Sequence, residues 1–191
     1  MNKLTCDFFP DIHNNPIIAA INDVNKLEDV INSPCKIVFL LTGDILNIKE
    51  IVDELKKHNK LVFVHIDLLC GFSKDVTALK YLNNTINLDG IITTKSNLIK
   101  AAKELNIFTI QRLFVLDSLA LASGINSIKS IRPDAVEILP GIMPKIIREI
   151  RQETRIPIIA GGLIRDKSDV IDSLNSGAIG ISTSNKNVWY M

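Results

Sequence analysis

Residues 156–183 read IPIIAGGLIRDKSDVIDSLNSGAIGIST. A short apolar run, 156–160, stops at Gly161-Gly162. Val170, Ile171 and Leu174 then recur at helical spacing, and Gly177 ends that segment. A second apolar run, 178–181, stops at Ser182-Thr183-Ser184. Strand, helix, strand in this order predicts a βαβ unit, and two strands joined by a helical crossover lie parallel. A chain built on this unit needs helices to cover both faces of its sheet, which narrows it to the α/β class.

The same period runs through the rest of the chain. Apolar runs at 16–21, 37–41, 61–66, 90–92, 108–110 and 135–139 alternate with amphipathic segments. Asn47 followed by Glu50 has capping-box spacing, Ser96 suits a helix N-cap, and Pro144 suits a first helical turn. Eight strands separated by seven helices predict an α/β fold, a compact (β/α)8 TIM-type barrel; an open doubly wound sheet is the alternative. The whole of 1–191 then forms one barrel domain. Its 191 residues fall short of the usual 200 or more for this barrel. The shortfall lies at the end, where 184–191 leave room only for a truncated C-terminal helix, with Trp189 and Tyr190 packing across the gap. Residues 1–15 form an N-terminal extension that either plugs the barrel bottom or frays.

Composition enters as a filter on function. A net charge of +1 argues against a strongly basic nucleic-acid binder, although a local patch remains open. Cys6, Cys35 and Cys70 show no CxxC spacing, which points to a reducing cytoplasm and to no structural zinc. One strand histidine without a spaced cysteine or carboxylate cluster points to no metal site. The N-terminus lacks an apolar signal core, and no apolar run reaches the roughly 20 residues that cross a bilayer. The expectation is a soluble cytoplasmic protein without membrane contact.

Function in a parallel barrel collects at the C-terminal ends of the strands. Gly161, Gly162, Ser182, Thr183 and Ser184 fall at the ends of the seventh and eighth, where barrels of this kind hold phosphate. Glycines allow close approach of backbone N–H groups, and the hydroxyls add donors; a tight turn and a helix cap explain the same residues without a ligand. His65, Asp67, Lys95, Arg112 and Glu137 end earlier strands, with His65 and Asp67 two apart and expected on one face. Glu137 interrupts the run AVEIL and needs a partner if buried, for which Lys95 and Arg112 are the candidates. Read from residues alone, an anchored phosphate beside Asp67, Lys95 and Glu137 also suits an isomerase, synthase or lyase.

At these positions the chain resembles a known family. HIDLLCG (65–71), DGIITTKSN (89–97), IQRLFVLD (110–117), EILPGIMP (137–144), PIIAGGLIRD (157–166) and GAIGISTSN (177–185), in this order, resemble the glycerol-3-phosphate-responsive antiterminator family. The resemblance implies a non-catalytic barrel that binds glycerol-3-phosphate, needs no other cofactor, and acts on the leader mRNA of glycerol-utilisation genes. It places the phosphate at Gly161, Gly162 and Ser182–Ser184, and the glycerol moiety near Asp67, Lys95, Arg112 and Glu137. The RNA-contact candidates are Lys145, Arg148, Arg151 and Arg155, or Lys95, Lys100 and Lys103; because Glu149 and Glu153 interleave with the first set, a solvated helix face is the alternative. A homo-oligomer is compatible with this reading, since it would join weak patches into a larger surface.

Overall fold

Eight parallel strands close on themselves in sequence order: β1 (Ile17–Ile21), β2 (Ile37–Leu40), β3 (Leu61–His65), β4 (Gly90–Thr93), β5 (Phe108–Phe114), β6 (Ala135–Leu139), β7 (Ile158–Gly161) and β8 (Gly180–Thr183). The ring closes where Ile17, Ile18 and Ala19 pair in parallel with Ile181, Ser182 and Thr183. The computed structural model describes residues 3–191, so residues 1 and 2 of the expected extension lie outside the described residues. The fold is the (β/α)8 barrel, and the open sheet is excluded.

Helix α1 (Lys3–Asn14) precedes the barrel. The connecting helices are α2 (Leu27–Asn32), α3 (Ile48–Lys57), α4 (Val76–Thr85), α5 (Ser96–Glu104), α6 (Ser118–Ile131), α7 (Pro144–Glu153) and α8 (Lys167–Asn175). A four-residue α9 (Lys186–Trp189) follows β8. Aspartates start several of them: Asp75, Asp117 and Asp166 accept from the N–H groups of Ala78, Ala120 and Asp169. Two caps differ from expectation. Helix α3 is entered through a turn in which Asp44 accepts from the Leu46 and Asn47 N–H groups, so no Asn47–Glu50 box forms. Ser96 lies inside α5, where its hydroxyl meets that of Ser127 at 3.0 Å.

Strand alternation sorts the core into an outer and an inner layer. Val38, Val62, Ile91, Val136, Ile158 and Ile181 pack outward under the helices, while Ile18, Phe39, Phe63, Ile92, Ile110 and Ile159 fill the barrel. Helix α1 belongs to the inner layer. Its Phe8 and Ile12 are fully buried against Phe63, Phe108 and neighbours at the strands' N-terminal ends, which closes the barrel bottom. Two glycines make room inside. A Cβ on Gly90 would fall 2.7 Å from both the Phe63 ring and the Phe108 carbonyl, and one on Gly180 would meet Ile12. Gly90→Ala is therefore expected to cost about 1–3 kcal/mol by overpacking. Urea unfolding reads this as a lower midpoint at unchanged slope; an unaltered midpoint contradicts the packing.

The short C-terminal helix closes the outer wall. Trp189 is buried, its indole Nε1 donates to the Thr183 carbonyl at 2.8 Å, and the Cys35 thiol approaches its carbonyl at 3.7 Å. Tyr190 does not share this role and is half exposed. Among the described residues no helix is long and apolar enough to cross a membrane.

Candidate functional site

The interior stays apolar until its upper layer, where His65, Arg112, Glu137, Gly161 and Ser182 lie at or near the C-terminal ends of their strands. Arg112 and Glu137 are Cα partners on β5 and β6. Arg112 Nε donates to Glu137 Oε2 at 2.7 Å, and the side chains are 7% and 1% exposed. Of the two cations expected to serve Glu137, Arg112 does so. Gly161 makes this arrangement possible, since a Cβ there would stand 2.6 Å from Glu137 Oε1. Gly141 makes room in the same way at the next layer outward. A Cβ on it would reach the Gly161 nitrogen at 2.7 Å, while its own N–H donates to the Gly162 carbonyl at 3.1 Å. The PG and GG pairs thus bring the loops after β6 and β7 together backbone to backbone.

Above the ion pair lies a cavity of about 290 Å³, open at the mouth. Arg112 and Glu137 form its floor; Gly162, Leu163 and Arg165 after β7, and Ser182, Thr183 and Ser184 at the end of β8, form one side. Asn22, Leu41 and Leu139 line the rest. Gly162 and Leu163 both have positive φ, 75° and 63°, so the chain turns sharply there. Among the described residues, the N–H groups of Leu163 and Ser184 meet no protein acceptor. Ser182 and Ser184 share the inward face. Thr183 points outward and is spent on the turn: its hydroxyl donates to the Ile164 carbonyl at 3.2 Å and accepts from the Asn185 N–H at 3.1 Å.

Three of the expected mouth residues stand elsewhere. Strand β3 ends at His65 and passes into a single 3-10 turn, 66–68, which breaks the alternation expected to align His65 with Asp67. Asp67 turns to β4 instead. It accepts from the Thr93 hydroxyl at 2.7 Å and from the Thr94 N–H and hydroxyl at 2.8 Å. Burial alone would raise its pKa, but these hydrogen bonds, with a smaller pull from His65, hold it below its ordinary value. Lys95 is exposed at the start of α5 and lines no part of the cavity. His65 faces inward beside Arg112, outside the cavity lining, and its buried Nδ1 has no protein partner.

Burial, and next the Arg112 charge, push the His65 pKa from 6.5 down to about 4, against a partial upward pull from Asp67. As pH falls, the unfolded chain takes up this proton first. Stability is therefore complete above 6.5 and is lost between 6.5 and about 4. The expected loss is on the order of 3 kcal/mol across that window. His65→Leu should flatten this stretch of the pH–stability curve; an unchanged slope in the variant contradicts the assignment.

The basic residues expected from the sequence are exposed, and several have local partners. Arg148 donates to the Ser176 hydroxyl, Arg151 lies over Gly177, and Lys103 is held by the last carbonyls of α6. A groove of about 790 Å³ opens at the barrel bottom, lined by Lys129, Arg132 and Arg155; Arg155 belongs to the first of those sets, and Lys129 is paired with Glu153. Arg165, Leu139 and Leu163 also escaped the sequence reading, although Leu163 and Arg165 lie within three residues of the Gly161-Gly162 pair.

A closed barrel with its polar cavity at the strands' C-terminal face, between the seventh and eighth, defines a (β/α)8 protein with a small-molecule pocket. A family model described as glycerol-3-phosphate responsive antiterminator matches residues 17–189. The uncharacterized protein YgcP of Escherichia coli (strain K12) is 38% identical over 178 residues, covering 93% of each chain. The crystal structure of the glycerol uptake operon antiterminator regulatory protein from Listeria monocytogenes str. 4b F2365 superimposes with a TM-score of 0.89 at 36% identity, over 92% of this chain and 95% of that one. That of a glycerol uptake operon antiterminator-related protein from Thermotoga maritima MSB8 gives 0.83 at 35% identity, over 92% and 98%. The chain belongs to the glycerol-3-phosphate responsive antiterminator family.

Proposed function

We propose that this protein is a glycerol-3-phosphate sensor that acts on a leader mRNA as a transcription antiterminator, without catalysis. The observation that carries the ligand half is the cavity between β7 and β8, whose size suits a small phosphorylated molecule. The phosphate sits against Gly162, Leu163 and the Ser182–Ser184 turn, close to the N–H groups of Leu163 and Ser184 and to Arg165. The glycerol hydroxyls meet the Arg112–Glu137 pair on the floor. Asp67 and Lys95 hold the neighbouring loop and its rim rather than the ligand.

The same placement argues against the enzyme reading. Proton transfer needs an acid or base within reach of the bound molecule. Asp67 is held by Thr93 and Thr94 and Lys95 stands outside the cavity, which leaves Glu137, paired with Arg112, as the single one of the three beside the ligand. The RNA half rests on family membership, and the bottom groove of Lys129, Arg132 and Arg155 is the surface assigned to it. Titration calorimetry with glycerol-3-phosphate, beside a turnover assay on the same sample, tests the ligand half. Saturable binding with the ligand recovered unchanged is expected; conversion of the ligand, or no binding, contradicts the proposal. Trp189 is the single tryptophan and bonds Thr183, so its emission offers an independent readout of the same site.

A further inference from the structure

Among the described residues, most of the exposed large apolar side chains stand at one end, around the mouth. Leu46 follows β2 and Leu68 follows β3. Phe114 and Leu116 rise from the end of β5, Leu119 begins α6, and Leu163 stands beyond β7. They are 47–86% exposed, with Leu46 and Leu116 the most open. Scattered exposed leucines need no explanation, but a group gathered on both sides of one opening does.

We propose that a second copy of this chain covers the mouth, so that the protein associates face to face over its ligand cavities. Three observations select this occupant. The first is area. At roughly 150 Å² for a large apolar side chain, these six expose on the order of 600 Å². One partner in a standard interface contributes about 800 Å², a little over half of it apolar, so the face alone suffices for a dimer.

The second is chemistry. The patch is aliphatic apart from Phe114, whereas a single-stranded nucleic acid is gripped by stacking aromatics over a basic track. Because the helices start at this end, the carboxylates of Asp75, Asp117 and Asp166 stand around the same face. The third is charge complementarity within the face itself. A two-fold interface must complement itself, and this rim carries both signs. Asp117 lies between Leu116 and Leu119, while Lys95, exposed at the start of α5, makes no side-chain ion pair among the described residues.

Leu163 belongs both to the cavity wall and to the patch. Ligand and second copy therefore share a wall, and whatever orders the loop after β7 alters the association. The association itself does not depend on the RNA reading and can hold or fail separately from it.

The test is sedimentation velocity of the full chain from about 1 to 100 μM, with and without saturating glycerol-3-phosphate. The expected result is a concentration-dependent dimer in at least one of the two conditions. Leu46→Glu and Leu116→Glu should each weaken it at least tenfold, since each places a charge in the apolar patch without touching the cavity. Ile171→Glu, on the outward face of α8, should leave it unchanged. Thermal melting checks that each variant folds, and Leu119→Lys replaces either one that does not. A monomer throughout, or a dimer indifferent to the mouth variants, overturns the proposal. So does a monomer whose Leu116→Glu form loses leader RNA, which would give this face to nucleic acid.

Discussion

Replacing Glu137 with alanine is expected to cost about 3–5 kcal/mol in unfolding free energy, because it strands the Arg112 guanidinium in the barrel without its partner. The pair is almost fully enclosed, with the carboxylate 1% exposed and the guanidinium 7%, so water cannot replace the lost oxygen freely. Gly161 packs directly against the same carboxylate, and the truncation leaves a void there as well. The double change Glu137→Leu with Arg112→Met removes both charges at similar volume and should recover most of the stability, though not ligand binding. Denaturant unfolding of the three proteins measures both effects. A Glu137→Ala variant within about 1 kcal/mol of wild type, still binding glycerol-3-phosphate, would show that the pair is neither isolated from water nor in the floor of the site.

The second large effect is on binding. Gly162→Asp should abolish glycerol-3-phosphate binding, with affinity lower by at least about a hundredfold. Two causes act together. At φ 75° a side chain is strained, and its Cβ would press on Leu139 at 3.3 Å. The added carboxylate would also stand where the phosphate belongs, and two anions in a half-enclosed cavity repel strongly. Gly162→Asn separates the causes, because asparagine has nearly the same shape, tolerates this backbone region better than most residues and carries no charge. It should bind measurably more tightly than the aspartate variant. Equal affinity of Gly162→Asp and wild type would mean that the phosphate lies elsewhere.

Most of the fold was legible because parallel strands buried on both faces leave uninterrupted apolar runs, and eight such runs alternate with amphipathic segments. The truncated final helix was legible from chain length. The position of Glu137 was legible too, since a carboxylate inside AVEIL has few ways to exist. What the sequence hid depends on local turns. The alternation that placed Asp67 beside His65 assumes an extended strand, and β3 passes into a 3-10 turn one residue too soon. The hydroxyls of Ser182, Thr183 and Ser184 look equivalent in sequence, yet strand alternation turns Thr183 to the Ile164 carbonyl. The role of Gly161 as space for Glu137 was hidden because it depends on contact between neighbouring strands. The partner of Arg148 was hidden as well: it reaches Ser176 at the end of α8, which spacing along one helix does not reveal.

The proposed function requires ligand and RNA to act on one another through this chain. A net charge of +1 limits how many RNA phosphates the protein neutralises, so its intrinsic affinity for leader RNA should be modest and steeply dependent on salt only in proportion to those few contacts. Glycerol-3-phosphate should raise that affinity, and by linkage the RNA must raise glycerol-3-phosphate affinity by the same factor. A leader-RNA binding titration at fixed salt, run with and without glycerol-3-phosphate, measures this most directly. A shift to tighter binding on adding the ligand, lost in Gly162→Asp, is the predicted result, and identical RNA affinity with and without the ligand would contradict it.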